Sequence, residues 1–417
     1  MRIGMLTACY DPVVNGVTQM IALYDRHLSA AGHRVTIFTL GAPPPGEDSS
    51  KVIRSPAVPL GKTGYYFGIR YDHEAQKRLK EVDVLHSHHL LMGLEFAGRY
   101  VTKPVIFTNH TRYDIYLSAY GRLPATVANS IMQQAWPRLT NIADAVIAPS
   151  ASIERIMRNS GVRTPIELIE NGVEVEQFRR PTIGNARSEA GIPAAATVFT
   201  YVGRLSREKN IRRLVDEFAI AVGQSDNLYL LLVGAGPMEA KLRRQAGNLG
   251  LNRRIILCGQ VQPERVPALL AISDAFVSAS VSEVHPLAVI EAMAAGTPVI
   301  AFDSPGIADI VTHDRTGLLA DGTPGSLAAA MRRLAGSGEM RHRLAAGARS
   351  AGQRYDIRFT VKRTLSLYRR LIESRRLRAA DVTTNLGDDL EKQRSPEARR
   401  AAFRVAAGAG GKGAREQ

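Results

Sequence analysis

The chain has 417 residues, of which 45% are hydrophobic, with a formal net charge of +15 and a pI near 10. This length suits two globular domains better than one, and the hydrophobic content is enough to bury two cores. No apolar stretch reaches the roughly 18 residues that span a bilayer, and Met1 leads directly into a predicted strand. We therefore expect a cytoplasmic protein without a signal peptide.

The basic charge predicts an anionic partner, for which nucleotide diphosphates, acidic lipid surfaces and nucleic acid are candidates. We expect no nucleic acid, because the sequence has no known nucleic-acid motif and no regular interleaving of basic and aromatic residues. One segment that contains both basic and aromatic residues favours binding to a membrane surface. The alternative interpretation of this segment is an ordinary solvated loop and helix. Its residues are Lys62, Tyr65, Tyr66, Phe67, Arg70, Tyr71, Lys77, Arg78 and Lys80.

In the first half of the chain, short apolar runs alternate with helical patterns. A helix over residues 17–31 is predicted to end at Gly32. Strands and helices that alternate in this way predict a doubly wound parallel sheet, here in a domain of residues 1–172. The runs predicted as buried strands are residues 2–8, 34–40, 83–87, 104–109 and 144–148.

The second half repeats this architecture in a domain of residues 173–355. The chain is predicted to change domain near Asn171-Gly172, with residues 181–193 as a loose start to the second unit. A helix is predicted over residues 356–370, and residues 374–417 are expected to be disordered because Ala, Gly, Arg and Asp dominate there. The predicted strands are residues 197–202, 228–233, 255–258, 275–278 and 299–302.

One segment of the second half predicts a helix that opens after a short loop. Residues 287–295 are good helix formers, Pro286 suits a first turn, and Gly296 is typical of a left-handed cap. Such a helix directs unbonded N–H groups and the positive end of its dipole outward. The amides near Pro286, Leu287 and Ala288 are therefore candidates for binding a diphosphate.

Two carboxylates flank the start of this helix. Glu283 precedes it and is a candidate acceptor of hydrogen bonds from sugar hydroxyls, while Glu291 lies one turn inside and suits a ribose diol. The alternative is a capping acid and a solvated helix acid, which the spacing alone leaves equally open.

The segment from Glu283 to Ile300 resembles the two-glutamate signature of the retaining glycosyltransferases of family 4, which have the two-Rossmann-domain fold called GT-B. This resemblance covers roughly residues 1–372. It implies an acceptor-binding N-terminal domain, a nucleotide-sugar-binding C-terminal domain and a last helix, within residues 356–373, that crosses back onto the first domain. Other motifs match in the expected order: Asn15-Gly16-Val17, Ala148-Pro149-Ser150, Asn171-Gly172-Val173 and Gly203-Arg204-Leu205-Ser206-Arg207-Glu208-Lys209-Asn210.

Three residues outside the two-glutamate segment are candidates for holding the donor diphosphate. Gly16 lets the backbone approach a phosphate, although it is also an ordinary turn glycine. Arg204 and Lys209 follow a predicted strand, and on that loop they would neutralise the charge that grows on a departing nucleoside diphosphate. The resemblance assigns both positions to the diphosphate, whereas without it either residue reads as a surface charge.

The motif departs from its commonest form directly after the first glutamate. Many relatives carry an aromatic residue and a glycine where this chain has Val284-His285-Pro286-Leu287. His285 is a candidate donor to sugar or phosphate, and equally a candidate packing residue.

A candidate acceptor site follows the predicted strand of residues 104–109. The resemblance places His110 close to the transferred sugar, with Arg112 and Tyr113 on the acceptor side, although an isolated histidine is more often structural. The form His-Thr-Arg-Tyr with Tyr116 downstream is similar to the subgroup that glycosylates diacylglycerol or other lipids. It implies a lipid acceptor and an enzyme peripheral to the inner face of the plasma membrane.

We expect neither a metal nor another cofactor. The sequence has no Asp-x-Asp triplet, and the cluster His86-Ser87-His88-His89 lacks a nearby acidic set. Cys9 and Cys258 have no partner at the spacing of a zinc site or redox pair, so small buried side chains are expected. The resemblance implies front-face displacement, in which the leaving phosphate oxygen helps to deprotonate the incoming hydroxyl.

Other functions stay open at this point. They are transfer to a soluble or cell-wall glycan, a nucleotide-sugar 2-epimerase, and a binding module that has lost activity. A phosphorylase is disfavoured because no pyridoxal phosphate signature is present. The sequence does not choose between UDP and GDP, between glucose and mannose, or between linkages, because a few loop atoms select base and sugar. The oligomeric state is equally open.

Overall fold

The computed structural model describes residues 1–60, 65–113, 125–179, 181, 184, 186–223 and 227–394. Over these ranges the chain folds into two parallel sheets with helices on their faces. The predicted α/β class with two doubly wound domains is therefore confirmed. None of the helices in these ranges is both long enough and apolar enough to cross a bilayer.

The N-terminal domain contains, within the described ranges, a seven-stranded parallel sheet in the order β3-β2-β1-β6-β7-β8-β9 and a separate two-stranded hairpin, β4-β5. The chain order is β1 (Arg2–Leu6), α1 (Gly16–Ala30), β2 (Arg34–Leu40), β3 (Val52–Ser55), β4 (Val58–Pro59), β5 (Tyr66–Phe67), α2 (His73–Glu81), β6 (Val84–Ser87), α3 (Glu95–Tyr100), β7 (Val105–Thr108), α4 (Ala125–Thr140), β8 (Ala145–Ala148), α5 (Ala151–Asn159) and β9 (Ile166–Leu168).

The C-terminal domain contains, in the same ranges, a six-stranded parallel sheet in the order β12-β11-β10-β13-β14-β15. Its elements are α6 (Val175–Arg179), α7 (Ala186–Glu189), β10 (Thr197–Val202), α8 (Ile211–Val222), β11 (Leu228–Val233), α9 (Glu239–Asn248), β12 (Ile255–Gly259), α10 (Val266–Ala271), β13 (Ala275–Ser278), α11 (Leu287–Ala295), β14 (Val299–Phe302), β15 (Gly317–Ala320), α12 (Ser326–Ala335) and α13 (Gly338–Gly352), followed by α14 (Ile357–Arg394).

The central strands lie where the apolar runs predicted them, because each is buried on both faces. β7, β8, β13 and β14 contain only buried residues. The strands that prediction missed are short or lie at sheet edges. β9 has three half-buried residues with a glutamate in the middle, and β15 begins with a glycine, so neither shows a continuous apolar run.

The chain returns to the N-terminal domain at the predicted crossing. The Val173 N–H donates to the carbonyl of Tyr355 at 2.9 Å, and the Ile357 N–H donates to the carbonyl of Val173 at 2.9 Å. Further along α14, the Thr364 hydroxyl lies 3.1 Å from the Tyr24 hydroxyl of α1. The predicted return of the last helix to the first domain is therefore present in the structure.

The predicted disorder from residue 374 onward is wrong for residues 374–394. Helix α14 runs without a break from Ile357 to Arg394. Leu, Ala and Arg supply nine of these 21 residues and no proline interrupts the stretch, so its composition is compatible with a helix. Residues 395–417 lie outside the described part of the chain.

The crossing depends on the absence of a side chain at Gly172. A Cβ at this position would lie 2.6 Å from both the Cα of Ile357 and the hydroxyl oxygen of Thr360. We predict that Gly172→Ala lowers the free energy of unfolding by about 1–3 kcal/mol, because the first turn of α14 must move. Urea unfolding measures the effect. Gly223→Ala, whose nearest atom would be 3.7 Å away, is the control, and equal stability of the two variants would contradict the prediction.

Candidate active site

The loop after β10 carries two of the predicted donor residues and is held by its own side chains. The Tyr201 hydroxyl donates to the carbonyl of Arg204 at 3.2 Å, which fixes the backbone where the loop leaves the sheet. Asn210 ends the loop in a left-handed conformation, with φ at 55°, and its amide donates to the carbonyl of Ala279 at 3.0 Å. This bond ties the β10 loop to the loop after β13.

Lys209 and Glu283 meet between these two loops. The Lys209 ammonium lies 2.8 Å and 2.9 Å from the two carboxylate oxygens of Glu283, and both side chains are partly buried. Close packing also holds the backbone of Glu283: a Cβ on Gly306, which has a φ of 81°, would lie 2.5 Å from the carbonyl oxygens of Glu283 and Val284. Two residues that lie 74 positions apart in the sequence thus form one charged pair.

Helix α11 begins at Leu287, as predicted, with Pro286 at its N-cap and Gly296 in a left-handed C-cap with φ at 80°. Pro286 has no N–H and so cannot donate, which corrects the prediction for that residue. Its carbonyl accepts from the amides of Val289 and Ile290. Among the described residues no acceptor meets the amides of Leu287 and Ala288, and these two donors are left for a ligand.

Glu291 lies within α11 and is half-buried. Burial raises the pKa of its carboxyl to about 7. Its carboxylate has no hydrogen-bond partner in the described part of the chain. Because the oxygens of this carboxyl group lack a partner among the described residues, they are suited to accept hydrogen bonds from a diol that enters the site.

The structure supports the packing alternative for His285, and its donation to sugar or phosphate stays a prediction. His285 is only 3% exposed, and its ring lies edge-on to Tyr355 at 5.5 Å between centroids. Burial lowers its pKa to about 3, so the ring is neutral. The preceding Val284 is buried in the hydrophobic cluster of the N-terminal domain, and the Asn171 amide donates to the carbonyl of His285 at 2.9 Å. The segment after Glu283 therefore docks the two domains.

On the N-terminal side, Gly16 is the first residue of α1. A Cβ there would meet no atom within 4 Å, so Gly16 faces open space. The Asn15 side chain accepts from the amides of Val17 and Thr18 at 2.9 Å and 3.0 Å. These bonds remove two of the donors that the helix start was predicted to offer, and they leave the Gly16 end of the helix accessible to a ligand.

The two domains bring their loops together at this point. Cys9, which follows β1, is buried, and burial raises the pKa of its thiol; hydrogen bonds from Asn15 and Tyr65 and the positive charge of Arg204 act in the opposite direction. Arg204 is thus close enough to the N-terminal loop to act on Cys9 electrostatically. Its guanidinium has no hydrogen-bond or ion-pair partner among the described residues. It therefore offers a positive charge, unpaired within this part of the chain, whose field reaches Cys9 of the N-terminal domain.

His110 lies on the same side, at the end of β7, and is half-buried. Its Nε2 lies 3.0 Å from Nδ1 of His88, which belongs to the histidine cluster after β6. Burial lowers the pKa of His110 to about 3, with neighbouring histidines acting in the same direction. His110 is therefore neutral at ordinary pH and has one ring nitrogen beyond its bond with His88.

The two other predicted acceptor residues are held by the protein. Arg112 is buried, and the Leu90 N–H donates to the Tyr113 hydroxyl at 3.1 Å. The Tyr113 ring also packs edge-on against Trp136 at 5.8 Å. Tyr113 thus supports the turn of Leu90–Leu94, and direct contact of Arg112 or Tyr113 with an acceptor stays a prediction. Tyr116 lies outside the described residues.

The histidine cluster is arranged for packing. His86 bonds to Thr108 at 2.6 Å and His89 to Thr7 at 3.1 Å, which occupies one nitrogen of each ring. In the described part of the chain, no group of three or more His, Cys, Asp or Glu is placed to hold a metal ion. The expectation that the protein needs no metal stays a prediction.

Sequence reasoning missed the residues that position the site. Tyr201 and His88 contact the candidate residues Arg204 and His110 without being candidates themselves. Asn210 and Ser282 are the neighbours of Lys209 and Glu283 in the chain and join their two loops; the Ser282 hydroxyl donates to the carbonyl of Glu208 at 3.1 Å. The one available signal was the place of Asn210 at the end of the matched β10 motif, since asparagine tolerates the left-handed region better than other side chains.

The two domains match two family models. Residues 14–177 match the model described as Glycosyltransferase Family 4, and residues 183–351 match the model described as Glycosyl transferases group 1. The chain is 30% identical over 335 residues to an alpha-monoglucosyldiacylglycerol synthase of Streptococcus pneumoniae, covering 76% of this chain and 75% of that protein. It is also 30% identical over 339 residues to a GDP-mannose-dependent alpha-mannosyltransferase of Mycolicibacterium smegmatis, covering 77% and 84%.

Solved structures with this fold cover nearly the whole matched region. A sucrose-phosphate synthase from Thermosynechococcus elongatus superposes with a TM-score of 0.76 at 23% identity, over 89% of this chain and 99% of the other. The Anabaena protein HepE, solved with UDP and glucose, superposes with a TM-score of 0.72 at 20% identity, over 89% and 100%. At these identities the likeness shows the fold alone.

Because the pKa of Glu291 is raised, replacing its carboxyl group is predicted to change the stability of the fold in a pH-dependent way. Between the ordinary value of 4.5 and about 7, the unfolded chain loses this proton while the folded chain keeps it, so stability falls as pH rises through this window. Glu291→Gln is neutral at every pH, so it does not lose this stability. From pH 4.5 to above pH 7, we expect the free energy of unfolding of the variant to rise relative to that of the native chain by on the order of 2–3 kcal/mol. Urea unfolding at the two pH values measures this change.

The exposed Glu264→Gln variant controls for the loss of one negative charge. A Glu291→Gln effect that is the same at both pH values would show that the carboxyl is not buried as the structure has it.

Proposed function

We propose that this chain, which belongs to the family 4 glycosyltransferases and has their GT-B fold, is a retaining hexosyltransferase that moves glucose or mannose from a nucleotide diphosphate sugar to a lipid hydroxyl. The observation that carries the proposal is the meeting of Lys209 and Glu283 beside the two unbonded amides of α11. This place offers a cation, a hydrogen-bond acceptor and a helix N-terminus together.

The chemistry of transfer assigns a part to each of these groups. When the glycosidic bond breaks, the nucleoside diphosphate leaves with an additional negative charge. We expect Arg204, Lys209 and the amides of Leu287 and Ala288 to stabilise that charge. Gly16, on the opposite domain, leaves room for the phosphates to approach the backbone.

Lys209 would change partners when the donor binds. Without a donor, its ammonium neutralises the half-buried carboxylate of Glu283. A diphosphate would draw Lys209 toward itself and leave Glu283 to accept hydrogen bonds from the sugar hydroxyls. The ion pair thus keeps the carboxylate stable until the sugar supplies new donors. Glu291, one turn further along α11, would bind the ribose diol.

Retention would follow from the side on which the acceptor arrives. In front-face displacement the leaving phosphate oxygen takes the proton of the acceptor hydroxyl, so no carboxylate nucleophile is required. The protein then has to orient the partners and stabilise the leaving group. His110, half-buried at the end of β7, would contact the sugar from the acceptor side.

A lipid acceptor is supported by an apolar surface on the N-terminal domain. In the β4-β5 hairpin, Val58 is paired with Phe67, and Leu60 and Ile69 lie two residues beyond these positions along the chain. All four side chains are exposed: Val58 by 67%, Leu60 by 44%, Phe67 by 52% and Ile69 by 70%. Exposed apolar residues this close together are typical of a surface that binds a partner or a membrane. We call these four residues the hairpin face.

The opposite side of the hairpin packs on the protein, and this corrects part of the predicted membrane segment. Tyr66 lies against Gly41, where a Cβ would come within 2.6 Å of its ring, and Tyr71 is fully buried with its ring 4.8 Å from Phe96. Tyr71 is therefore not available to a bilayer, Tyr66 is half-buried, and Lys62 lies outside the described residues. Arg70 and Lys77 are exposed close by in the chain, so basic charge accompanies the hairpin face as an anionic lipid surface requires.

Incubation of the purified chain with radiolabelled UDP-glucose or GDP-mannose and a total lipid extract tests the proposed activity. Label that moves into lipid, with the anomeric configuration of the donor, supports it. Label found only in an added glycan would overturn the lipid acceptor, and a free epimerised sugar would indicate a 2-epimerase. Donor binding without any transfer would indicate an inactive binding module.

We predict that Arg204→Ala and Lys209→Ala each lower kcat roughly 100-fold to 1000-fold, because each variant removes a charge that stabilises the leaving diphosphate. Steady-state kinetics with saturating donor measures the change. Arg212→Ala removes an exposed cation on α8 and is the control, with kcat expected within about twofold of the native value. Native kcat in both site variants would remove them from the mechanism.

We predict that replacing Phe67 and Ile69 together by glutamate abolishes flotation with phosphatidylglycerol vesicles, because two buried apolar contacts become two repelled charges. Flotation with phosphatidylcholine vesicles and at raised salt separates the electrostatic contribution. Ile220→Glu, at a position that is 47% exposed on the other domain, is the matched control and should still float. Undiminished flotation of the double variant would show that the hairpin face does not meet the membrane.

A further inference from the structure

Two histidines that follow the neighbouring strands β6 and β7 of the N-terminal sheet are joined edge to edge. Nδ1 of His88 lies 3.0 Å from Nε2 of His110, with 5.3 Å between ring centroids and 16° between ring planes. The ring planes are nearly parallel, and the centroid distance shows that the two nitrogens lie on the line between the ring centres. The hydrogen bond therefore lies in the plane of both imidazoles, which is the direction of the nitrogen lone pairs. His110 is the candidate beside the transferred sugar, whereas nothing yet assigns a role to His88.

A hydrogen bond between two neutral imidazoles allows two arrangements of the protons. In one, Nδ1–H of His88 donates to Nε2 of His110, and the proton of His110 is on its own Nδ1. In the other, Nε2–H of His110 donates, and the proton of His88 is on its Nε2. Burial keeps both rings neutral, since it lowers the pKa of each well below its ordinary value.

The surroundings of His88 distinguish these arrangements. Its Nε2 is buried and has no hydrogen-bond partner among the described residues. The neighbouring rings are His86, at 4.2 Å, and Tyr24, at 5.9 Å between centroids, and neither places an acceptor on this nitrogen. The second arrangement would bury an N–H without an acceptor, and orphaned buried N–H groups are rarer in folded proteins than acceptors that lack a donor. The first arrangement is therefore favoured.

We propose that His88 is a positioning residue that donates its Nδ1–H to Nε2 of His110 and thereby fixes His110 in the Nδ1–H form, with a hydrogen-bond donor facing the transferred sugar. The proposal rests on the proposed function for its role in catalysis, but the proton arrangement itself does not. A donor suits this place, because the sugar and the phosphates offer oxygen lone pairs. The rest of the cluster holds His88 in place, through the bond of His86 to Thr108 and the packing of both rings against Tyr24.

Two substitutions of His88 separate the hydrogen bond from the packing of the ring. In His88→Asn, the side-chain amide nitrogen lies near the position of Nδ1 and can still donate to His110. In His88→Phe, a ring of similar size fills the space but offers no donor. Tyr24→Phe keeps the ring that packs on the cluster and removes only the hydroxyl that bonds to Thr364, so it controls for disturbance of the surroundings.

The proton positions are measured directly by long-range proton–nitrogen correlation spectra of the full chain labelled with ¹⁵N-histidine. Spectra of a His110→Gln variant identify the His110 signals. We expect the Nδ1–H form of His110 in the native chain, in His88→Asn and in Tyr24→Phe, and a shift toward the Nε2–H form in His88→Phe. The Nε2–H form in the native chain, or an unchanged form in His88→Phe, would overturn the proposal.

Kinetics with the donor and acceptor then tests the role in transfer. We expect His88→Phe to lose roughly tenfold in kcat with little change in the KM for the donor, and His88→Asn to recover most of that loss. Equal losses in both variants would show that the ring acts through packing alone and would overturn the positioning role. Absence of transfer by the native chain would contradict the proposed function, while the spectra would still test the proton arrangement.

Discussion

The ion pair between Lys209 and Glu283 joins the parts of the structure that the proposed chemistry requires. Lys209 lies at the end of the loop after β10, and Glu283 lies just before α11, so one contact ties two loops of the C-terminal sheet together. Asn210 and Ser282 add hydrogen bonds between the same loops. Separating these two partly buried charges costs free energy unless a ligand supplies a new partner for each of them. A diphosphate with an attached sugar offers an anion for the lysine and hydroxyl donors for the glutamate.

The segment after Glu283 has a second part in the structure, which is to dock the domains. Val284 is buried in the N-terminal core, and the carbonyl of His285 accepts from Asn171 at the crossing between domains. Asp309 adds an interdomain contact through the backbone and hydroxyl of Ser152. The candidate donor residue Glu283 and the residues that set the domain contact are therefore neighbours in one loop. A ligand that changes the position of Glu283 would act directly on the packing of Val284.

Most of the groups described on the N-terminal side of the site are neutral, with the buried Arg112 as the exception. Burial keeps His86, His88, His89 and His110 uncharged, and the Asn15 side chain occupies two amides at the start of α1. Positive charge in the site therefore comes mainly from the C-terminal domain, through Arg204 and Lys209. This asymmetry suits an enzyme whose one domain binds a charged donor and whose other domain receives an uncharged hydroxyl. The exposed hairpin face on the N-terminal domain is consistent with an acceptor that resides in a membrane.

The sequence alone was sufficient for the class of the fold, most strands and the start of α11. Fully buried parallel strands leave continuous apolar runs, and Pro286 and Gly296 mark the ends of a helix through local backbone preferences. The family motifs also predicted Arg204, Lys209, Glu283 and Glu291 as donor residues. The structure brings Lys209 and Glu283 together, while the contact of all four with a donor stays a prediction. Edge strands such as β9 and β15 escaped prediction, because half-buried or very short strands carry no such pattern.

Only the tertiary structure decided what each polar side chain contacts. Three contacts join residues that are distant in sequence. They are the pairing of Lys209 with Glu283, the bond of His88 to His110 and the packing of His285 against Tyr355, and the last two also depend on how a ring is oriented. No local pattern encodes these contacts, because they arise when the two sheets and the returning helix α14 bring separate loops together. The same holds for the exposure of Phe67 and the burial of Tyr71. These aromatic residues lie four positions apart, and the packing of the hairpin decides which of them faces solvent.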